Sequence, residues 1–349
     1  MRAAVMEKFA APLVVHDNWA DPQCGPRDAV LKVEACGVCR SDYTLWQGGM
    51  EWVGVVPPVP TVLGHEYCGV VEEVGAEVNH FKPGDRVVSP FCHACGHCEF
   101  CAEGHQNVCT SLTFPAAHYT GGFATRTKVA NADVNLVALP ESISYPEAAG
   151  MGCRFITSYH GVVDQAKVRP GEWVAVFACG GVGLAAVDIA TAMGANVVAV
   201  SRSKEKLALA RKLGAVDTVT AGPEAAEQVV ELTGGGAHVT IDALGAASTM
   251  LPALFSLRSR GRHLRLGVSN KDDQGQVAIP VDLLTFREIE IIGSFGMQAA
   301  RYPEMFRMIE AGRLHPGTLV GETVGLAGVS DVLQSMKGFD TVAMTVMIP

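Results

Sequence analysis

The chain has 349 residues, 48% of them hydrophobic, with 38 glycines and a formal net charge of −9. This length suits two domains of about 150 residues, each with its own core. The acidic balance, without a phosphate-tracking run of Lys and Arg, makes nucleic acid and anionic membrane poor partners. Charges inside the first ten residues argue against a signal peptide, and the longest apolar run, 173–187, is glycine-broken and shorter than the roughly 20 residues that span a bilayer. A cytoplasmic chain is expected, with its 11 cysteines acting as ligands or buried thiols.

Along the chain, the first 150 residues read as β-rich and irregular, with little helical periodicity. Val30-Leu-Lys-Val-Glu-Ala alternates apolar and polar, Gly69 to Gly75 is a short strand bounded by glycines, and Lys82-Pro-Gly-Asp is a turn leading into Arg86-Val-Val. Within this region Cys95, Cys98, Cys101 and Cys109 follow the pattern C-x2-C-x2-C-x7-C. Four thiolates so closely spaced can close a tetrahedron around Zn²⁺ and leave no position for a substrate, so the site organises the chain without doing chemistry. A disulfide cluster is the alternative, disfavoured by the spacing and the expected compartment. Cys92, His93 and His97 are spare ligands nearby.

From about Cys153 the texture changes. Trp173-Val-Ala-Val-Phe is a buried strand, 182–193 a helix, 196–200 a second strand, and 204–213 a charged helix ending at Gly214. Thr218-Val-Thr, a helix over 224–232 and His238-Val-Thr-Ile-Asp follow, and a further helix is expected at 301–311. Strands alternating with helices imply βαβ units and a parallel sheet.

The turn after the first of these strands, Ala178-Cys-Gly-Gly-Val-Gly, matches the dinucleotide fingerprint G-x-G-x-x-G except that Ala178 replaces the first glycine. Gly180 and Gly181 let the backbone approach a pyrophosphate at the helix N-terminus, and Gly183 lets the helix pack on the sheet. A turn that serves packing alone is the bland alternative. An acid about 20 positions on normally takes the adenosine ribose hydroxyl and selects NAD. Here that strand ends Val200-Ser201-Arg202-Ser203-Lys204. A hydroxyl with Arg202 and Lys204 suits a 2′-phosphate, so NADP is expected over NAD.

Cys39 in Gly37-Val-Cys-Arg-Ser-Asp, His65 in Gly64-His-Glu and Cys153 in Gly152-Cys-Arg-Phe-Ile-Thr are each weak evidence alone, since a lone His or Cys is more often a satisfied buried side chain. Together with the four-cysteine lobe, the nucleotide turn, Pro83-Gly-Asp-Arg-Val and Ile291-Ile-Gly-Ser-Phe-Gly, they resemble the zinc-containing medium-chain alcohol dehydrogenases over nearly the whole chain. The resemblance implies an α/β fold: a GroES-like β-rich catalytic domain over 1–154 and 294–349, and a Rossmann doubly wound parallel sheet over 155–293. It implies two zinc ions per chain, a structural one in the cysteine lobe and a catalytic one held by Cys39, His65 and Cys153. Glu66 would lie close behind the catalytic zinc and Asp42 would hydrogen-bond the His65 ring. Ser41 would pass the alcohol proton outward, Arg40 would meet the cofactor pyrophosphate, and Thr157 and Val182 would pack near the nicotinamide. A homodimer or homotetramer acting on a small alcohol or carbonyl is implied, in a reversible hydride transfer.

The chain departs from the family in three places. Thr44 stands where many members carry a relay histidine, Ala178 replaces a glycine, and 338–344 lacks an arginine often found near the pyrophosphate. Two other readings are a polyol dehydrogenase of the same family, which often has glutamate where Cys153 stands, and a nucleotide-binding redox sensor without catalysis. Trp46, Trp52, Phe91 and Phe114 either line an apolar substrate pocket or belong to the core.

Overall fold

Leu31, Val33 and Ala35 are buried while Lys32 is exposed, so the alternation seen over 30–35 belongs to a strand, Ala29–Gly37, that turns one face into a core. The computed structural model describes residues 1–269, 275–338 and 341–349; of the 338–344 stretch, Phe339 and Asp340 lie outside the described residues. The chain forms two units, one of Met1–Ile156, Gly296–Ala311 and Pro316–Pro349, the other of Thr157–Phe295 and Gly312–His315. Among the described residues no helix is long and apolar enough to cross a membrane.

The first unit is the β-rich one. Its seven-stranded sheet is built around Ala29–Gly37, which pairs antiparallel with Glu66–Val74, Arg126–Val129 and Met344–Met347. A three-stranded sheet of Val14–His16, Ala3–Met6 and Thr61–Val62 packs into the same core, which is filled by Met6, Leu31, Leu63, Tyr67 and Phe123. Two helices beside functional side chains, Arg40–Trp46, which follows Cys39, and Tyr145–Met151, which precedes Cys153, have only seven residues each. Two turns are too short to show a 3.6-residue period, which is why the sequence does not announce them. Their caps hold them instead: the Ser144 hydroxyl accepts from the Glu147 N–H, with Pro146 in the first turn.

The second unit holds six parallel strands in the order Asp217–Thr220, Asn196–Ser201, Trp173–Phe177, Ala237–Asp242, Leu257–Arg265 and Glu290–Gly293. Trp173–Phe177 is central, with Val174 to Phe177 buried, as both faces of a covered parallel strand require. The helices Gly181–Ala192, Lys204–Lys212 and Ala225–Leu232 connect the first four strands. This is the doubly wound arrangement, whose order reverses beside the first strand. The strands at 257–265 and 290–293, and the helices Ala247–Phe255 and Val281–Arg287, were not anticipated. Leu257–Arg265 hides its period because Arg258, Ser259 and Arg260 are exposed, Gly261 interrupts, and the pairing with 237–242 shifts register there.

The short segment Gly312–His315 belongs to this second unit although the chain on either side of it belongs to the first. It is held by Asp188, a buried carboxylate within the helix Gly181–Ala192, which accepts from the His315 backbone N–H at 2.7 Å and meets His315 Nδ1 at 2.9 Å.

Candidate metal centres and nucleotide turn

Helix Arg40–Trp46 begins at Cys39, whose extended backbone makes it the N-cap. Asp42 closes a capping box by accepting the Cys39 N–H at Oδ2, 3.0 Å away. The other oxygen, Oδ1, accepts from the Gly64 N–H at 3.0 Å and faces His65 Nδ1 at 2.9 Å. One fully buried carboxylate thereby joins the helix start to the entrance of strand Glu66–Val74 and fixes the His65 tautomer. With Nδ1–H donating to Asp42, His65 Nε2 is left as the ligand atom, and it is buried without a hydrogen-bond partner. The ligand atoms of Cys39, His65, Glu66 and Cys153 all lie within 4.8 Å of one another.

The electrostatics of this cluster favour a cation. A hydrogen bond from Cys153 holds the Cys39 thiol well below its ordinary pKa, while the same contact and burial push Cys153 well above. Two thiolates this close ionise together only when a positive charge sits between them. Burial opposes a charge on His65, yet the Asp42 carboxylate, its hydrogen bond and Cys39 outweigh it and raise the ring's pKa well above normal. A field that draws a proton to Nε2 also draws a metal ion there. Two sulfurs and one imidazole match the ligand set of a catalytic zinc site, and the Glu66 carboxylate offers a fourth candidate ligand atom in the same cluster.

Glu66 is fully buried; its Oε1 accepts the Cys153 N–H at 3.0 Å and lies 3.5 Å from Arg154 Nε, while Oε2 has no partner. Burial pushes this carboxyl up to about 7. Gly37 and Gly152 flank it, and an added Cβ at either would lie 2.3 Å from a Glu66 atom, so both positions exclude a side chain. Arg154, which also donates to the Val38 carbonyl at 3.1 Å, and this glycine pair were missed in the sequence. The only cue was their adjacency to Cys153 and Cys39.

Ser41 is half-buried on the first turn of the same helix. Arg40 donates to the Met336 carbonyl, and its guanidinium lies 4.5 Å from the Tyr43 ring centroid. Thr44 donates to the Arg40 carbonyl at 3.0 Å. Of the four aromatics, Phe91 meets the His65 ring edge-on at 6.0 Å, whereas Trp46 is core, its indole N–H donating to the Ala11 carbonyl. Trp52 is half-buried in a short turn and Phe114 packs against His118.

The four cysteines 95, 98, 101 and 109 form a second cluster. Sulfur separations are 4.0 Å for 95–101, 3.5 Å for 98–101, 3.7 Å for 98–109 and 3.5 Å for 95–109. A tetrahedron with Zn–S bonds of about 2.3 Å has edges of about 3.8 Å, whereas a disulfide needs about 2.05 Å. The cluster therefore fits zinc and excludes disulfides. Backbone N–H groups point at the sulfurs: Cys95 and Ser111 onto Cys109, and His97 onto Cys95. Such donors, from Cys101 and Thr110, draw the Cys98 thiol down to about 6. The spare ligands are engaged elsewhere. His93 is sandwiched between Ser89 Oγ and the Tyr119 hydroxyl, His97 Nδ1 faces the Cys95 carbonyl, and burial keeps Cys92 a neutral thiol at about 12.

In the second unit, Gly180 caps the helix Gly181–Ala192, and an added Cβ there meets nothing within 4 Å, which leaves room for a phosphate at the helix N-terminus. Gly183 is required for packing, since its Cβ would lie 2.1 Å from the Ala178 carbonyl. Ala178 keeps the turn with φ +72°, a left-handed conformation that glycine adopts freely and alanine does not. Thr157 is buried, and its neighbour Ser158 donates to the Val182 carbonyl at 2.8 Å. Ser201 ends the second strand buried, with Arg202 and Lys204 exposed beyond it. The nearest acid in sequence, Glu205, accepts from the Ser203 hydroxyl at 2.7 Å.

Two family models match: the alcohol dehydrogenase GroES-like domain over residues 25–141 and the zinc-binding dehydrogenase domain over 181–311. The chain belongs to the zinc-containing medium-chain alcohol dehydrogenase family. It is 35% identical over 337 residues to an alcohol dehydrogenase of Geobacillus stearothermophilus, covering 96% of each chain. The alcohol dehydrogenase of Aeropyrum pernix superposes with a TM-score of 0.89 at 29% identity over 100% of both chains. A zinc-binding dehydrogenase of Sinorhizobium meliloti solved with NADP bound superposes with a TM-score of 0.87 at 28% identity, covering 100% of this chain and 99% of that one. The protein is an oxidoreductase of a family that uses zinc and a nicotinamide cofactor.

Proposed function

We propose that the protein is a zinc-dependent alcohol dehydrogenase that interconverts a primary or secondary alcohol and its aldehyde or ketone, with NADP preferred over NAD. The observation that carries this reading is the unpartnered, buried Nε2 of His65 beside two thiols, its tautomer set by Asp42. Cys39, His65 and Cys153 would hold the catalytic zinc, and Cys95, Cys98, Cys101 and Cys109 a structural one, two ions per chain. When bound, zinc supplies Lewis acidity that lowers the pKa of a hydroxyl from about 16 toward 7, and the nicotinamide supplies a hydride acceptor.

The remaining work falls to the chain. The alcohol loses a hydride from carbon and a proton from oxygen, and the Ser41 hydroxyl takes that proton and passes one on to solvent. Thr44, whose hydroxyl donates to the Arg40 carbonyl, supplies no titratable base in place of that histidine, so the proton leaves through water or another base. Asp42 keeps the His65 ring oriented, Arg154 balances Glu66, and Phe91 packs its apolar ring against His65. Gly180, Gly181, Gly183 and the helix N-terminus take the pyrophosphate with Arg40, while Thr157 and Val182 pack on the nicotinamide. Ser201, Arg202 and Lys204 take the 2′-phosphate. We assign residues 1–154 and 294–349 to catalysis and 155–293 to nucleotide binding, in a cytoplasmic homodimer or homotetramer.

The test is a panel of primary and secondary alcohols, read at the nicotinamide absorbance with both cofactors. A higher kcat/KM with NADP is expected, and Arg202→Ala should lower it about tenfold while leaving NAD unchanged. Equal loss with both cofactors would remove the 2′-phosphate assignment, and no turnover of any alcohol would remove the function.

A further inference from the structure

The strand Leu257–Arg265 places four arginines among nine residues of a chain whose net charge is −9. Its first half borders a hollow of about 560 Å³ lined by His238, Arg258, Ser259, Arg260, Arg262, Glu288 and Glu290. All of these belong to the second unit. His238, Arg258 and Glu290 stand at the starts of their strands, so the hollow opens at the N-terminal edge of the parallel sheet. The nucleotide turn lies at the other edge: Trp173 and Phe177, the ends of the central strand, are four residue steps apart, about 13 Å.

Most charges around the hollow are already matched. Arg262 grips both oxygens of Glu172 at 2.7 and 2.6 Å, and Arg260 lies 3.5 Å from Glu288. Arg258 differs: among the described residues no carboxylate pairs with it, and its contact is His238 Nε2 at 2.7 Å. That contact cannot be a hydrogen bond. The backbone N–H of Trp173 donates to His238 Nδ1 at 3.0 Å, which makes Nδ1 the lone-pair nitrogen of the ring. A neutral imidazole then carries its hydrogen on Nε2, and a guanidinium has only donors. Burial and the Arg258 charge both lower the His238 pKa, which keeps the ring neutral. Two donors thus converge on one point beside an unpaired positive charge, and an acceptor with negative charge resolves the conflict.

We propose that this hollow binds a phosphate-class oxyanion, with one oxygen shared between the Nε2–H of His238 and the guanidinium of Arg258. Ser259 stands on the same rim with a hydroxyl for a second oxygen. Glu288 and Glu290 bound the site and set its limit: they repel large polyanions, so a single phosphate group fits better than a nucleic acid backbone.

The test uses the intact chain with inorganic phosphate at constant ionic strength, chloride being the balancing salt. Phosphate binding is followed by calorimetry and by the rise in Tm that a ligand of the folded state produces. Arg258→Gln should weaken binding about tenfold or more and abolish the Tm rise. His238→Asn keeps an acceptor for the Trp173 N–H but lacks the ring donor, and should weaken binding in the same direction. Arg202→Ala must leave the binding intact, which separates this site from a phosphate held at the proposed 2′-phosphate position. Equal binding in wild type and Arg258→Gln, or loss with Arg202→Ala alone, overturns the proposal, as does a ring-nitrogen NMR spectrum that puts the His238 hydrogen on Nδ1. None of these readouts depends on alcohol turnover.

Discussion

The two candidate metal centres of the first unit are assembled in opposite ways. The four-cysteine lobe takes all its ligands from residues 95–109, and backbone N–H groups of the same loop stabilise the thiolates. The other centre draws on residues 39, 65 and 153, and relies on a fully buried carboxylate, Asp42, to tie two of those segments together. A locally built site needs little beyond its own loop, and its saturated sulfur shell leaves nothing to react. A site assembled from distant segments depends on the whole sheet, and in exchange its ligand atoms are oriented before any ion arrives.

Removing one ligand from each centre separates the two designs. Cys39→Ala should cost on the order of 10³-fold or more in kcat, the loss of a Lewis acid worth several kcal/mol. Zinc content should fall from two ions to one with circular dichroism unchanged. Cys98→Ala should also lose one ion, but its larger effect should be on Tm, because metal binding in a closed thiolate site is folding energy. If both variants lost activity and stability alike, the two centres would not be separable. A smaller effect is expected from Asp42→Asn, which keeps an acceptor but not the carboxylate's charge. Zinc affinity at the Cys39 centre should drop 10- to 100-fold in a chelator competition, with the cysteine lobe untouched.

Acid sensitivity sharpens the contrast further, because unfolding must be told apart from protonation of ligands. His263 is fully buried in the parallel sheet of the second unit and belongs to neither cluster, and burial, with Arg265, pulls its pKa down to about 4. The unfolded chain has a value near 6.5, so the neutral ring stabilises fully above that pH and the contribution is lost as pH falls toward 4. At pH 5 the loss is about 2 kcal/mol. His263→Asn should flatten this part of the stability profile in urea titrations without changing zinc content. The smallest effect belongs to Ala178→Gly. Relief of a left-handed alanine, about 1–2 kcal/mol, exceeds the added freedom of the unfolded chain, about 0.5–1 kcal/mol, so Tm should rise slightly.

The same local-versus-assembled distinction explains what could be read from the residues alone. The cysteine lobe is legible because its spacing is its geometry. The glycine turn is legible because Gly180 and Gly183 sit between a strand and a helix of ordinary length. Cys39, His65 and Cys153 carry no such signal individually; only their order within a family pattern links them. Arg154 and the glycine pair around Glu66 stayed hidden because their reason is a contact across the sheet, which no local pattern encodes. Leu257–Arg265 stayed hidden because exposed arginines and a register shift erase the strand period. Ala178 shows the reverse case, a departure from the fingerprint that the backbone absorbs as strain rather than as a new turn.

The clasp between Asp188 and His315 bears on dissecting the molecule. A fragment cut at the boundaries visible in the sequence, 155–293, would omit residues 312–315 and strip a buried carboxylate of both groups it meets there. An excised nucleotide-binding piece should therefore express poorly, and either grafting those four residues back through a short linker or neutralising the carboxylate with Asp188→Asn should rescue its solubility.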